Sequence, residues 1–292
     1  MRLFLLGADG QVGHELCGAL ECFAQVTAVT EADFDMTNES ELRARLRDAA
    51  PDVIVNPAAY TDVDGAEKNP AIAAKVNAEA VRVLGEEAKR AGIGLVHYST
   101  DFVFDGKKGG EYVEDDAPNP LNEYGRSKLR GEQVLSELDA PAIVLRTAWV
   151  WSLRKKSFVS AILKLARERD TLRIVADQVG NPTFCRDLAQ ATAAMLYAMR
   201  SSVREQLRDA RGIYHLAGTG SCSRFELARR ILELDPHKSE HKVRTLEPIG
   251  SDAYPLPAVR PTHAPLDCSR FEQRFGLRLP RWEASLARQL AG

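Results

Sequence analysis

Hydrophobic and polar residues along the first half of the chain form short apolar runs that alternate with longer periodic blocks. The apolar run at residues 3–6 precedes residues 11–22, in which Val12, Leu16 and Leu20 recur at helical spacing. The same order repeats downstream. Predicted strands cover residues 26–29, 52–56, 94–99 and 142–147, and predicted helices cover residues 39–49, 70–91 and 124–138. Because parallel neighbouring strands need a crossover helix, this alternation predicts an α/β fold with a Rossmann-type doubly wound parallel sheet.

The pattern is less regular beyond residue 150. Residues 105–121 are predicted to form a loop and residues 236–265 a mostly irregular region, because glycine or proline recurs in them. The other predicted elements of this half are helices at 158–168, 188–199, 225–234 and 282–290, and strands at 172–175 and 213–216. We predict a Rossmann domain at residues 1–150, with residues 170–217 as a source of later strands for its sheet, and a smaller C-terminal lobe formed mainly by residues 151–292.

Composition is that of an ordinary globular protein and argues against several functional classes. Of the 292 residues, 45% are hydrophobic and 27% are charged, and no apolar run is long enough to cross a bilayer. The 39 basic and 41 acidic residues leave no positive excess for binding nucleic acid. The five cysteines form no CxxC pair or even spacing, so we expect reduced thiols instead of disulfides or a zinc site. Since the start of the chain has no secretory signal pattern, we expect a cytoplasmic protein that binds neither membrane nor nucleic acid.

A glycine cluster, Gly7, Gly10 and Gly13, lies between the first predicted strand and the first predicted helix. Glycine there permits a tight turn and lets phosphate oxygens approach the amide donors at a helix N-terminus. The position indicates a dinucleotide pyrophosphate site, although a plain strand-to-helix turn would also explain the glycines. Their GxxGxxG spacing differs from the GxGxxG of ordinary dehydrogenases and is the spacing found in extended short-chain dehydrogenases.

Tyr124 and Lys128 form a YxxxK pattern at the start of a predicted helix, where i, i+4 spacing places both on one face. A free tyrosine has a pKa of ~10, and a neighbouring ammonium favours phenolate, so the pattern predicts an acid or base usable near neutral pH. Taken alone, it fits a solvated surface pair as well. Thr100 follows the predicted strand at 94–99, at the edge where α/β sheets bind ligands, although it would also suit a turn or a cap. The chain order of these elements predicts that the glycine turn, Thr100 and Tyr124 reach one crevice.

Longer segments resemble the dTDP-4-dehydrorhamnose reductase family of extended short-chain dehydrogenases. They occur in the family's order over nearly the whole chain, and the last three are the most particular to it. The segments are GADGQVG (7–13), PDVIVNPAAYTDVDGAE (51–67), HYSTDFVFDG (97–106), PLNEYGRSK (120–128), RTAWVW (146–151), DQVGNPT (177–183) and YPLPAVRP (254–261). The resemblance implies an NAD(P)H-dependent oxidoreductase that reduces the C4 keto group of dTDP-4-dehydro-β-L-rhamnose to give dTDP-L-rhamnose. Residues 1–150 would then be the NAD(P)-binding domain and residues 151–292 mainly the substrate-binding lobe.

The resemblance also implies roles for individual residues. Tyr124 would donate a proton to the C4 carbonyl oxygen, Lys128 would support the phenol and the nicotinamide ribose, and Thr100 would position the carbonyl. Implied cofactor contacts are Gly7, Gly10, Gln11, Val12, Gly13, Asp35, Met36, Ala59, Tyr60, Thr61, Tyr98, Tyr124 and Lys128. Implied substrate contacts are Thr100, Asp101, Tyr124 and Trp149, with core packing as the alternative for Trp149.

The sequence departs from the family pattern at positions that bear on the cofactor. Thr30 stands where an acidic residue often accepts hydrogen bonds from the adenosine ribose, and Glu31 follows it, so NADH and NADPH both stay open. Phe102 replaces the tyrosine of the family's STDYVF segment, which we expect to tune binding only. Some family members bind Mg²⁺ in connection with dimer formation. The ligands are not identifiable here, and Glu15, the one candidate, also fits a solvated helix charge.

Two alternative functions follow from the same resemblance. The regulatory β subunit of methionine adenosyltransferase is similar to this family and acts as a non-catalytic binding partner, which a stable synthetase complex without reductase activity would indicate. Another sugar-nucleotide reductase or epimerase is the second alternative, and an epimerase would keep its NAD tightly bound. The presence of Thr100, Tyr124, Lys128 and Trp149 together favours the reductase.

Overall fold

The computed structural model describes residues 1–290. Its strands are β1 (Arg2–Leu5), β2 (Gln25–Ala28), β3 (Val53–Asn56), β4 (Gly94–Thr100), β5 (Ala142–Thr147), β6 (Val150–Trp151), β7 (Thr171–Val175), β8 (Val179–Gly180), β9 (Thr183–Phe184), β10 (Gly212–His215), β11 (Cys222–Ser223) and β12 (Thr245–Ile249). Its α-helices are α1 (Gln11–Glu21), α2 (Glu39–Ala49), α3 (Val63–Lys68), α4 (Pro70–Ala74), α5 (Ala80–Ala91), α6 (Glu123–Glu137), α7 (Phe158–Glu168), α8 (Cys185–Ala198), α9 (Val203–Asp209), α10 (Arg224–Leu234), α11 (Ser269–Phe275) and α12 (Trp282–Leu290). A π-helical turn at Lys75–Glu79 joins α4 to α5, and 3-10 turns lie at Asp101–Val103, Lys238–Glu240 and Ser251–Ala253.

The central sheet has six parallel strands in the order β2-β1-β3-β4-β5-β10. β1 pairs with β2 on one side and with β3 on the other, so the direction in which strands are added reverses at β1. In open α/β sheets, ligands bind at such a reversal, outside the carboxyl ends of the strands. The parallel α/β architecture predicted from the sequence is therefore confirmed, and the sheet takes its last strand, β10, from residues 212–215.

Both faces of this sheet are covered, as the apolar character of its central strands requires. On one face, Leu3 and Leu5 of β1 pack in a cluster with Leu16 and Leu20 of α1. On the other face, Phe4 packs in a second cluster with residues of α2 and α5. Every residue of β3 and β4 is buried, including the polar ones at their carboxyl ends. Within residues 1–290, no helix is long and apolar enough to span a membrane.

The remaining strands form three small sheets that pair β7 with β12, β8 with β11, and β6 with β9. A third apolar cluster, which includes Trp151, Phe184 and Trp282, lies beneath them. Residues 236–265 are mostly irregular, as predicted, and the one strand among them, β12, pairs in parallel with β7 along five residues. β12 tolerates Pro248 because a two-stranded sheet leaves one edge of the strand unpaired.

Candidate active site

The turn after β1 has the conformation that its glycines permit. Gly7 has a φ of +62°, in the left-handed region, and its carbonyl accepts a 2.9 Å hydrogen bond from the N–H of Gly10. A Cβ on Gly13 would lie 2.0 Å from the carbonyl oxygen of Gly7, so α1 contacts the turn at backbone distance. Gly10 caps α1 without a side-chain hydrogen bond, which leaves amide donors of the first turn facing outward. The glycine turn and the amide donors at the N-terminus of α1 are together suited to bind a dinucleotide pyrophosphate.

Gln11 and Val12 occupy the first turn of α1 and are both partly buried. The Gln11 side-chain oxygen is buried and has no hydrogen-bond partner within residues 1–290. A buried acceptor without a partner is costly, and a bound molecule with a donor at this position would relieve that cost. The orphaned oxygen is a second observation that fits a ligand at the glycine turn.

Tyr124 and Lys128 lie one turn apart on α6, which begins where the Asn122 side chain accepts a 2.8 Å hydrogen bond from the N–H of Gly125. Tyr124 is half-buried, and Lys128 is only 2% exposed. The Lys128 ammonium donates a 2.6 Å hydrogen bond to the carbonyl oxygen of Tyr98 at the end of β4. Lys128 is therefore anchored to the sheet edge beneath Tyr124.

A chain of contacts connects Lys128 to the glycine turn. A Cβ on Gly7 would lie 3.0 Å from Ala58, whose N–H donates to the Asn56 side-chain oxygen at 3.2 Å. The Asn56 amide contacts His97 Nδ1 at 3.1 Å, and His97 Nε2 lies 3.4 Å from Lys128 Nζ. These contacts run from the turn after β1 to the end of β3, then to β4 and to α6. The glycine turn and Lys128 therefore lie on the same edge of the sheet.

The surroundings of Tyr124 and Lys128 shift their pKa values in opposite directions. Burial raises the pKa of Tyr124 to about 12; the Thr100 hydroxyl lowers it and the Asp101 carboxylate raises it further. Burial lowers the pKa of Lys128 to about 8, against the opposing effect of Glu132. The sequence predicted that Lys128 would favour phenolate, but Lys128 is not among the groups that shift the pKa of Tyr124, and desolvation sets the direction instead. The phenol is consequently protonated at neutral pH.

Thr100 and Asp101 lie at the carboxyl end of β4 and are both buried. Thr100 Oγ1 accepts a 3.2 Å hydrogen bond from the N–H of Phe102 and donates a 3.1 Å hydrogen bond to Asp101 Oδ1. Thr100 thus caps the 3-10 turn that follows β4, as the alternative interpretation of the sequence anticipated. Burial raises the pKa of Asp101 to about 7, although Thr100 and Arg224 lower it. The ring of Phe102 contacts Tyr124 edge to face at 5.7 Å.

Trp149 follows β5 and has a φ of +43°, a left-handed conformation that is uncommon for a bulky residue. A Cβ on Gly180 would lie 2.6 Å from the indole, so Gly180 leaves the space that the ring occupies. The Arg224 guanidinium lies over the indole, with its carbon 3.5 Å from the ring centre. Trp149 also packs against two apolar clusters, as the core-packing alternative predicts, and its left-handed backbone is of a kind that clusters at functional sites.

Asn77 is a functional candidate that sequence reasoning missed, and it lies in the π-helical turn. Its side-chain oxygen accepts from the N–H of Tyr60 at 2.9 Å, and its amide contacts the Tyr60 carbonyl at 3.1 Å and Ser127 Oγ at 2.9 Å. Asn77 thereby holds the loop of Ala59, Tyr60 and Thr61 against α6. Asn77 had no distinct sequence signal, because charged residues recur along the same helical stretch, whereas Asn56 and His97 were detectable as polar residues within apolar strand segments.

Three predicted cofactor contacts lie in surroundings that the sequence did not indicate. Asp35 is exposed and accepts hydrogen bonds from the N–H and hydroxyl of Thr37, both at 2.8 Å. Met36 packs beside the second core cluster. The Tyr98 side chain lies in the core, with its hydroxyl 2.7 Å from Thr192 Oγ1, so that only its backbone reaches Lys128.

Glu15, the one residue considered as a magnesium ligand, makes an ion pair with Arg186 at 2.8 Å. A cation beside this carboxylate opposes binding of a second cation. Residues 1–290 contain no group of three or more histidine, cysteine, aspartate or glutamate side chains placed to hold a metal ion. The residues around Glu15 therefore do not fit a magnesium site.

Comparison with known proteins identifies the family. A family model described as the RmlD substrate binding domain matches residues 1–292. The dTDP-4-dehydrorhamnose reductase of Burkholderia thailandensis is 41% identical over 287 residues, which cover 97% of this chain and 95% of that protein. A dTDP-4-dehydrorhamnose reductase structure from Clostridium acetobutylicum has a TM-score of 0.89 at 30% identity and covers 100% of this chain and 99% of its own. The structure of dTDP-4-dehydrorhamnose reductase from Bacillus anthracis in complex with NADP has a TM-score of 0.87 at 32% identity, covering 99% and 98%. The chain belongs to the dTDP-4-dehydrorhamnose reductase family, as its sequence motifs predicted.

Proposed function

We propose that this chain reduces the C4 keto group of dTDP-4-dehydro-β-L-rhamnose to give dTDP-L-rhamnose, with NADPH or NADH as the reductant. The observation that carries the proposal is the half-buried Tyr124 phenol, whose pKa of about 12 keeps it protonated next to Thr100 at the crevice edge of the sheet. Family membership supports the substrate class, since curated relatives carry the name of this activity.

In this proposal, Tyr124 donates its proton to the C4 oxygen as the keto group becomes a hydroxyl. The Thr100 hydroxyl holds the carbonyl in place, and Asp101 in turn orients that hydroxyl through the 3.1 Å hydrogen bond. Lys128, anchored on the Tyr98 carbonyl, supports the phenol and the nicotinamide ribose from below. The bound cofactor supplies the hydride to C4. The protein contributes orientation and the proton.

The cofactor is assigned to the glycine turn by the same proposal. Gly7, Gly10, Gln11, Val12 and Gly13 would hold the pyrophosphate, because the turn and the uncapped α1 offer amide donors. The adenosine end would lie near Asp35, Met36 and the end of β2, and Ala59, Tyr60, Thr61 and the Tyr98 backbone would flank the remainder. At the end of β2, the Thr30 N–H and hydroxyl are bound by the Asp33 carboxylate at 2.6 and 2.8 Å. These contacts do not distinguish the adenosine ribose of NADH from that of NADPH, so the proposal keeps both cofactors.

The substrate side is assigned mainly to residues 151–292, together with Thr100, Asp101 and Trp149 at the sheet edge. A cytoplasmic location stays a prediction from the sequence, and a homodimer is suggested only by the family resemblance. Magnesium has no part in the proposal, since Glu15 is paired with Arg186.

A direct assay follows the loss of NAD(P)H absorbance with NADH and NADPH in separate reactions, the 4-keto sugar nucleotide being produced in situ. We expect turnover with at least one cofactor and dTDP-L-rhamnose as product. Absence of turnover, combined with a stable complex with a methionine adenosyltransferase, would instead establish the regulatory alternative. Retention of NAD through purification, with interconversion of sugar epimers, would establish an epimerase.

The Tyr124→Phe variant tests the proton donor. We expect kcat to fall by about 10²- to 10⁴-fold, the usual contribution of general acid catalysis, while cofactor binding is retained. Tyr197→Phe is the matched control, because Tyr197 is 47% exposed and lies on α8, outside the proposed site. Normal turnover of Tyr124→Phe would remove Tyr124 from the mechanism.

A further inference from the structure

Arg224 is the first residue of α10, and its side chain extends over the Trp149 indole instead of toward solvent. The guanidinium carbon lies 3.5 Å from the centre of the indole and 5.0 Å from the centre of the Phe158 ring. Gly180 lies directly against the indole, since a Cβ there would clash with it at 2.6 Å. The two aromatic rings therefore hold the guanidinium in one orientation beside a predicted substrate contact.

The guanidinium donors of Arg224 have no protein acceptor. Among residues 1–290, no side chain or carbonyl accepts a hydrogen bond from them and no carboxylate lies within ion-pair distance, although the residue is partly buried. Comparable half-buried arginines are paired: Arg43 with Glu87 at 2.8 Å, and Arg167 with Asp235 at 2.9 Å. Five N–H donors in a rigid fork are thus left without a protein partner, and a ligand with several acceptor oxygens would satisfy them.

The charges around Arg224 favour an added anion. Asp101 is the acidic group that acts on Arg224, and Arg260 is a second cation that acts against it. Arg260 forms an ion pair with Asp64 at 2.8 Å, so it competes with Arg224 for an anionic ligand less than an unpaired arginine would. Asp101 is bound by Thr100 and retains its proton up to a pH of about 7, given its raised pKa, so it neutralises Arg224 incompletely.

We propose that Arg224 binds the diphosphate of the nucleotide sugar and thereby sets the position of the substrate on Trp149. This inference rests on the proposed function, because it takes the sugar to be linked to a nucleoside diphosphate. The planar fork matches phosphate oxygens in a bidentate manner, which a lysine or a neutral residue does not reproduce. Arg224 is a binding and positioning residue here and takes no part in the proton transfer.

The test is calorimetric titration of the full-length protein with thymidine, dTMP and dTDP, each in the presence of saturating NADPH. Wild type should bind dTDP more tightly than dTMP and thymidine. Arg224→Met keeps an unbranched side chain on the indole but removes the charge and the donors. We expect it to lose about ten- to hundredfold in affinity for dTDP, the usual effect of a charge-assisted hydrogen bond, with thymidine affinity unchanged. Arg224→Lys should recover part of the loss.

Arg229→Met is the matched control, because Arg229 lies on the same helix with its side chain 61% exposed and 3.8 Å from Glu233. NADPH affinity and the thermal midpoint of each variant report on folding, and Arg224→Gln replaces Arg224→Met if the latter unfolds. An unchanged preference of Arg224→Met for dTDP over thymidine, in a protein that reduces the sugar nucleotide, would overturn this inference alone. Wild type that binds no dTDP would overturn the proposed function together with it.

Discussion

Tyr124 holds its proton because its side chain is desolvated and the Asp101 carboxylate is near, and both disfavour phenolate. A reductase benefits from this arrangement, since the keto oxygen must receive a proton as the hydride arrives at carbon. Lys128, with a pKa lowered to about 8 by burial, is still mainly charged at neutral pH. One turn of α6 therefore carries a protonated phenol and a buried cation, and in the proposed mechanism the cation supports the phenol as it gives up its proton.

Asp101 allows a test of these electrostatics through the free energy of unfolding. Its folded-state pKa of about 7 lies above the value of about 3.9 for an unfolded aspartate, so the native state binds the proton more tightly. Stability therefore falls as pH rises from about 4 to about 7. Relative to Asp101→Asn, wild type should lose up to about 1.4 kcal/mol for each pH unit in this window.

Urea unfolding of both proteins at several pH values gives this difference directly. Glu21→Gln is a suitable control, because Glu21 is exposed at the end of α1 and distant from β4. A difference between wild type and Asp101→Asn that is constant from pH 4 to 7 would show that Asp101 titrates normally.

Helix α1 packs against the turn after β1 at Gly13. This close packing is possible only because glycine has no side chain. The Gly13 position leaves no space for a Cβ, since the Gly7 carbonyl would lie 2.0 Å from it. Gly18, on the same helix, is exposed, and a Cβ added there would have no other atom within 4 Å. A larger residue is therefore excluded at position 13 and tolerated at position 18 of the same helix.

Gly13→Ala should weaken NADPH binding strongly and destabilise the protein by about 1–3 kcal/mol, because the added methyl group displaces α1 from the turn. Gly18→Ala should bind NADPH normally and gain about 0.5–1 kcal/mol, since alanine is the better helix former. Chemical unfolding and NADPH titration measure both effects. Equal behaviour of the two variants would contradict the close contact between α1 and the turn.

At the scale of the whole molecule, packing decides which cysteines can react. Burial raises the pKa of Cys185, Cys222 and Cys268 to about 12, whereas Cys22 is exposed at the end of α1. A thiol reacts as its thiolate. A raised pKa and limited access to solvent therefore both slow the reaction of a buried cysteine.

Iodoacetamide should therefore label Cys22 first in the native protein, the partly buried Cys17 and Cys268 more slowly, and the buried Cys185 and Cys222 only after unfolding. Peptide mass mapping over time gives the order of labelling, and the same reaction in urea is the control. Rapid native labelling of Cys185 would mean that the packing of α8 opens far more readily than its burial indicates.

The elements of the N-terminal half could be predicted because each carries its own pattern. β3 and β4 begin with apolar runs, and the helices between the strands repeat apolar residues at helical spacing. β12 could not be recognised in this way, since its residues are mostly exposed and include Pro248. Its strand conformation depends on pairing with β7, a partner more than seventy residues away in the chain.

The sequence by itself determined the parallel α/β fold, the glycine turn, and the Tyr124, Lys128 and Thr100 set, because short-range spacing and chain order carry that information. Only the tertiary structure decided the raised pKa of Tyr124, the core position of the Tyr98 side chain, the pairing of Glu15 with Arg186, and the Arg224 guanidinium on Trp149. These features depend on burial and on contacts between residues far apart in the chain. Desolvation and long-range contact arise only when the chain is packed, and no local pattern encodes them.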